Sequence, residues 1–487
     1  MTRETPRLSE QDEAFDAVLT LPDPPIADQP AEDLEDLALG DDYALNPEYV
    51  EMVVDAADRN DEARLRELLD ALHSADVADL MGFLTAEYRE DVIKYLDSEV
   101  LAEVISELED DLREEVLEAT PSAALAKALE SLDSDDAADV VDDLEDDKRA
   151  EVLAAMPEIE RAAIESTLAY EEETAGRLMQ REVVAAPQFW TVGQAIDHLR
   201  TEGADLPELF FDIYVVDPSY KPVGAVPVSH LLRAPRTSGL AEIMEAVTEV
   251  TAEMDQEEVA YIFNKYHLIS APVIDAGGRL VGQITVDDIV GVIREEAQED
   301  ILALAGVSDA GRDAGVGDIV RSRLPWLLLN LLTAAVSVSG VALFQEEIVR
   351  LVQLAVLMPI VSSLGGNAGT QTLAVAVRAL GAKEMSAANA GRVIGRELTV
   401  GLINGLALAA VMGAAVFAIY HKPLLALTVS LALIVNTFIA ALGGILAPLA
   451  LEKMGRDPAV SSSIFVTFLT DFSGFFAVLL IATLLHA

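Results

Sequence analysis

The chain has 487 residues, no cysteine, and 84 Asp and Glu against 32 Lys and Arg, for a formal net charge of -52. The missing cysteine excludes disulfides, thiolate catalysis and zinc–thiolate sites, and the acid excess excludes a nucleic-acid partner, whose phosphates need Lys and Arg. Yet 52% of the residues are hydrophobic, which an acidic disordered chain cannot be. Charge and apolar residues must therefore be segregated, and they are. The first 320 residues hold 77 acids and 22 bases, while Arg321 to the end holds seven acids and ten bases. An acidic soluble body precedes a membrane half.

Residues 1–45, with 13 acids, two bases and several prolines, are predicted to be a disordered acidic tail. Over 46–172 an apolar position recurs every 12 residues, at Leu72, Leu84, Leu96, Leu108, Leu132, Leu144 and Met156, with Thr120 in the remaining slot. Two short helices per 24 residues predict a small helical solenoid, with Asp or Ser capping the helix starts. After Ala175-Gly176 the pattern turns to strands and helices over 173–300. There the stretch Val215 to Val228 matches Val273 to Val286 at an offset of 58. Strand, turn, strand and helix repeated twice, with "SAPVIDAGGRLVGQITVDDIV", resembles a tandem CBS (Bateman) pair, about 178–240 and 241–300. That resemblance implies adenine-nucleotide binding, ATP included, with Thr285 and Asp288 at the ribose. The first copy, "GAVPVSHLL", lacks the acid. A plainer role for Asp288 is a helix N-terminal acid favoured by the dipole.

A connecting segment, 301–325, leads to five apolar stretches over 326–487. They run about Trp326–Phe344, Leu351–Val377, Leu398–Tyr420, Leu424–Leu451 and Ser463–Leu485. Each is long enough to span a hydrocarbon core as a helix. Arg321, Arg323, Arg378, Lys383, Arg392, Arg396, Lys453 and Arg456 fall on one side and only Arg350 and Lys422 on the other. The positive-inside rule puts the N-terminus in the cytoplasm and the C-terminus outside. The acidic first 20 residues lack the apolar core of a signal peptide.

Asp471 is the acid placed well inside a span, on one face with Ser463 and Thr467. A carboxylate there marks an ion path; the alternative is a protonated Asp bonded to a neighbouring helix. The run Ser362-Ser363-Leu364-Gly365-Gly366-Asn367-Ala368-Gly369-Thr370-Gln371 is equally foreign to lipid. It reads as pore lining with irregular backbone, or as close helix packing, which explains the glycines but not Asn367 and Gln371. Carboxylate, amide and hydroxyl oxygens suit a hydrated divalent cation such as Mg2+. A two-fold dimer would bring a second Asp471 to a shared axis.

The order of parts, with "TAGRLM" at Thr174–Met179, "EEAQEDILALAGVSD" at Glu295–Asp309, "RLPWLLLNLLT", "PIVSSLGGNAGTQT" and "VTFLTD" ending at Asp471, resembles the MgtE family of magnesium transporters. The resemblance covers residue 46 to the end. It implies a multidomain fold: an all-α superhelical N domain, an α/β tandem CBS module, a connecting (plug) helix and an all-α transmembrane domain of five helices. It also implies a homodimeric Mg2+ channel of the plasma (inner) membrane, closed by Mg2+ bound between acidic cytosolic parts. Carried over by motif, the sensor acids are Asp135, Asp139, Asp288, Glu296, Glu299 and Asp300, with Asp457 in the loop "GRDPAV". Asp471 would hold the ion, with Ser463 and Thr467 along its wall and Asn367 and Gln371 facing it. Family members carry an acid where this chain has Gly291, which implies a weaker sensor. A broader divalent (Co2+) transporter and a membrane-tethered nucleotide sensor stand as alternatives. An enzyme is not expected, since no carboxylate pair or nucleophile elbow occurs in the spans.

Overall fold

The computed structural model describes residues 34–40, 43–108, 110–201, 206–207, 209–307, 316–385, 389–454, 458 and 462–486. The chain divides into two compact units, Met1–Ile164 and Glu165–Ala487.

The first unit is helical. It opens with α1 (Leu34–Ala38), α2 (Pro47–Asp58) and α3 (Glu62–Leu69). There follow α4 (Ser74–Phe83), α5 (Ala86–Tyr95), α6 (Ser98–Glu107), α7 (Asp110–Ala119), α8 (Ser122–Leu129), α9 (Ser134–Asp142), α10 (Asp146–Ala155) and α11 (Glu158–Thr167). From α4 on, the starts fall every 12 residues, the period of the leucines. Those leucines close the helices: Leu84 and Leu108 are C-caps, buried like Leu144 and Met156. Thr120 is tolerated in the same buried slot because its hydroxyl donates to the Val116 carbonyl at 2.7 Å. Asp61 does cap its helix, accepting from the Arg64 amide at 3.2 Å. Ser74, Ser98, Ser122 and Ser134, however, stand one residue inside their helices. Of the expected acidic tail, residues 34–45 include α1 and a bridge between Leu39 and Leu45, with Ala38 and Leu45 buried; residues 1–33 lie outside the described residues.

The second unit begins with the "TAGRLM" turn, α12 (Ala175–Leu178), and two three-stranded sheets. The first holds β1 (Ala185–Pro187), β2 (Asp212–Val216) and β3 (Pro222–Pro227), with α13 (Val192–Thr201), α14 (Val228–Arg233) and α15 (Leu240–Ile243). The second holds β4 (Val250–Thr251), β5 (Ser270–Ile274) and β6 (Leu280–Thr285), with α16 (Gln256–Tyr266) and α17 (Val286–Leu304). In each sheet a parallel pair meets an antiparallel hairpin, and the register shifts at Val215/Val216 and again at Val273/Ile274. Even the turns correspond: Gly278 takes φ +77° where Tyr220 takes +62°. The copies also exchange edges. Gln180, ahead of the first copy, pairs with Gln283 on β6, and Glu245 pairs back with Ala225 on β3.

The membrane half holds α18 (Val316–Ala342), the short α19 (Gln345–Arg350), α20 (Gln353–Gly381), α21 (Ala390–Tyr420), α22 (Pro423–Lys453) and α23 (Ser462–His486). All five expected long helices are present. Four of them, Ile319–Ala342, Ala390–Tyr420, Pro423–Lys453 and Ser462–Leu485, are long and apolar enough to cross a membrane. In α20 the glycine and amide run lowers the hydropathy. That run is regular helix from end to end, so the expected irregular backbone is corrected. The helix backbone bonds within itself, and small residues let neighbours approach. The bundle is built around α22, which packs on α20, α21 and α23; its apolar window is 56% buried against 6% for α18. Its core includes Leu357, Val361, Val429, Leu433 and Val478. At one end Ala303 and Leu304 of α17 pack on Leu373, Val377, Ala447 and Val466.

Candidate functional site

Asp471 sits on α23, half-buried, and accepts a hydrogen bond from the Ser362 hydroxyl of α20. Ser463 and Thr467 precede it on the same face, and Thr467 is exposed, its hydroxyl turned back to the Ser463 carbonyl at 2.8 Å. On α20 the run divides by side. Ser362, Gly365, Gly369 and Thr372 point into the bundle, while Ser363, Asn367 and Gln371 are exposed. A Cβ on Gly369 would lie 2.6 Å from Val466 Cγ1, and one on Gly444 would lie 2.6 Å from the Gly369 carbonyl oxygen. Packing therefore accounts for the glycines, and the amides form a separate polar stripe. Two buried polar residues escaped the sequence reading. Asn436 of α22 lies fully buried beside this site. Glu397, near the start of α21, is buried and pairs with Arg396 at 3.3 Å; its place beside Arg392 and Arg396 made it look like a surface acid.

The expected sensor acids are spread over both units. In the first, Asp135 is buried and Asp139 exposed on α9. In the second, α17 carries the rest. At its start the Thr285 hydroxyl and amide donate to one Asp288 oxygen at 2.9 and 3.3 Å, a capping box, so Asp288 does cap the helix. Two turns on, Glu296 accepts from Gln256 Nε2 at 2.7 Å. Burial, helped by Glu257, Glu299 and Asp255 nearby and opposed by the Gln256 bond, pushes its carboxyl up to about 7. Glu299 is exposed and Asp300 half-buried on the same helix. Asp457 lies outside the described residues. Among the described residues no three His, Asp or Glu side chains form a metal-ligand group.

Two further contacts involve the sheet module, one between its two copies and one to the membrane half. Tyr214 donates to the Ser270 hydroxyl at 2.9 Å, and Ser270 donates to Asp212 at 2.7 Å, joining β2 to β5 across the two copies. Burial raises the Asp212 carboxyl despite that bond. Lys383, in the loop after α20, pairs with Glu258 of α16 at 3.3 Å and stands 4.7 Å over the Tyr261 ring.

A helical N domain, a CBS pair and a helical bundle with a carboxylate held between two of its long helices define a multidomain integral membrane protein. The family model for MgtE, a divalent cation transporter, matches residues 358–481, that for the MgtE intracellular N domain matches 72–173, and that for the CBS domain matches 240–295. The magnesium transporter MgtE of Thermus thermophilus is 35% identical over 329 residues, 67% of this chain and 73% of that protein. Its namesake from Enterococcus faecalis is 34% identical over 313 residues, 64% and 69% of the two chains. A crystal structure of the cytosolic domain of the Mg2+ channel MgtE in complex with ATP is 34% identical, covering 50% of this chain and 99% of that one with a TM-score of 0.48. The chain belongs to the MgtE family of divalent cation transporters.

Proposed function

We propose that this protein takes up Mg2+ across the plasma (inner) membrane and is shut by Mg2+ bound at its acidic cytosolic parts. The observation that carries the reading is Asp471, a carboxylate on a membrane helix, held by Ser362 on a polar face the single chain leaves open. Such a group needs a cation or a partner to offset its desolvation. Mg2+ keeps its water shell and is held through it by one or two carboxylates. Ser463, Thr467 and Asp471 would form one wall of the path, Asn367 and Gln371 the other. A homodimer would cover both stripes and add a second Asp471. The relatives named magnesium transporters support the same cargo.

Closure would work by charge. Glu257, Glu299 and Asp255 make ionised Glu296 costly, a cost that a divalent cation bound nearby would lower. Asp288, Asp300, Asp135, Asp139 and Asp457 are the further sensor acids. The strain reaches the bundle along α17, whose last residues pack on α20, α22 and α23. ATP at Thr285 and Asp288 would bias the same helix. The distribution of bases supports a cytoplasmic N-terminus and an external C-terminus.

The test is Mg2+ uptake by proteoliposomes. Asp471→Ala should abolish it, and intact uptake would sink the assignment. Neutralising Glu296, Glu299 and Asp300 together should leave the path open at high Mg2+. Competition by Co2+ or Ca2+ in the same assay separates Mg2+ selectivity from broader divalent transport.

A further inference from the structure

Asn436 is the most deeply buried amide of the bundle, with no accessible surface in the middle of the 31-residue helix α22. Its two hydrogen bonds go to two other helices. Nδ2 donates to the Val361 carbonyl of α20 at 2.9 Å, and Oδ1 accepts from the Ser473 hydroxyl of α23 at 2.7 Å. These end points are specific. Val361 adjoins Ser362, the hydroxyl that donates to Asp471, and Ser473 lies two residues past Asp471. The backbone is cut away to admit the amide. A Cβ on Gly365 would collide with the Asn436 side chain, and one on Gly474 would lie 2.9 Å from Asn436 Nδ2 and 3.2 Å from Ser362 Cα. Two glycines on two helices thus open a notch that one side chain from a third helix fills.

We infer that Asn436 is a positioning residue of the ion path: it fixes α20 and α23 in the register that sets Ser362 against Asp471. It touches neither the carboxylate nor the cation and acts through the backbone of one helix and a hydroxyl of the other. An apolar residue would fill the notch but leave both helices free to slide at the level of the carboxylate. General helix glue has no reason to land beside both members of the Ser362–Asp471 pair. The neighbouring Thr437 shows what glue looks like: its hydroxyl turns back to the Leu433 carbonyl of its own helix at 2.8 Å, and it packs on Gly405 of α21, away from the carboxylate.

The inference rests on the reading of Asp471 as part of the path, and the experiment separates the two. Mg2+ uptake is measured in proteoliposomes, per incorporated protein, across a range of Mg2+ and with Co2+ as competitor. The proteins are the unaltered chain, Asn436→Leu, Ser473→Ala, Ser473→Thr and Asp471→Asn. Loss of a partner that orients a ligand costs roughly 10–100-fold in metal affinity, so Asn436→Leu should raise the half-saturating Mg2+ about tenfold and change the Mg2+/Co2+ ratio. Ser473→Ala should move both in the same direction by less, and Ser473→Thr, which keeps the hydroxyl, should restore them. A purely structural role would lower the yield of folded protein and leave both quantities alone. Unchanged half-saturation and ion ratio in Asn436→Leu, alongside an Asp471→Asn that no longer transports, would overturn the role of Asn436 and leave the path standing. Unaltered transport by Asp471→Asn would overturn the path itself and the inference with it. If Asn436→Leu does not fold, the two Ser473 variants decide by the same criteria.

Discussion

Glu296 offers a quantitative check on the electrostatics of the CBS module. Its carboxyl rises from an ordinary 4.5 to about 7, first through burial and then through Glu257, Glu299 and Asp255. A carboxyl that holds its proton more tightly when folded makes stability fall as pH rises through that higher value. Its stabilising contribution is complete below about 4.5 and is lost above about 7. Between pH 6 and pH 8 the folded form sheds most of one proton while the unfolded form is already ionised, a ceiling of about 1.4 kcal/mol. Glu296 keeps part of its surface in solvent, so about half of that, ~0.7 kcal/mol, is the working figure. For a module of this size it amounts to roughly 2–4 °C in Tm. Glu296→Gln keeps the acceptor for Gln256 and removes the titration. Melting of the whole protein in detergent with a chelator should show the unaltered chain losing those degrees from pH 6 to pH 8. The variant should lose fewer and be the more stable of the two at pH 8. Equal pH slopes in the two proteins would refute the argument.

Other substitutions probe particular contacts. Gly444→Ala would put a Cβ 2.6 Å from the Gly369 carbonyl oxygen and 3.1 Å from the Leu373 amide nitrogen; backbone cannot yield cheaply, and a cost of about 1–3 kcal/mol should appear in detergent melting. Gly443→Ala, which meets only the flexible end of Leu469, should cost less, and the reverse order would refute the packing. Ser270→Ala removes the hydroxyl that joins Tyr214 to Asp212 and should destabilise by about 1–3 kcal/mol, read by the same melting; a change near zero would mean the link carries no weight. Gly291→Asp adds an acid to α17 at a position where a Cβ meets nothing within 4 Å. It should fold normally and, through one added charge near the cluster, lower the Mg2+ needed for closure about two- to fivefold in the flux assay. Unchanged closure would remove α17 from the sensor.

Regular features were legible in the sequence because repetition leaves a trace that one-dimensional reading can find. The leucine period of 12 became the spacing of successive helix starts. The internal match became two sheets whose register irregularities also correspond. Apolar length announced the long helices, α20 included despite its polar run. What stayed hidden depends on contacts between distant segments. Asn436 is one polar residue in an apolar helix, and its meaning lies in partners 75 and 37 residues away. The exchange of edges between the CBS copies joins Gln180 to Gln283 across 103 residues, where no local pattern reaches. The run at Ser362–Gln371 was ambiguous because it does two jobs on two sides of one helix, and only the burial of each residue separates them.

The helix Val286–Leu304 begins at a capping box made by Thr285 and Asp288, the candidate nucleotide residues themselves, carries Glu296 in its middle and ends with Ala303 and Leu304 against the bundle. It contains no proline and no break along its 19 residues, so at 1.5 Å per residue it is a rod of about 28 Å. A rod passes on angle rather than local disorder: a tilt of about 5° at the sheet would sweep its far end through about 2.5 Å. Under the proposed closure, the signal entering the membrane would be a displacement, summed mechanically from whatever acts along the shaft. Two chemically unrelated effectors, were both to act on it, would need no common site to be read together, only a shared lever.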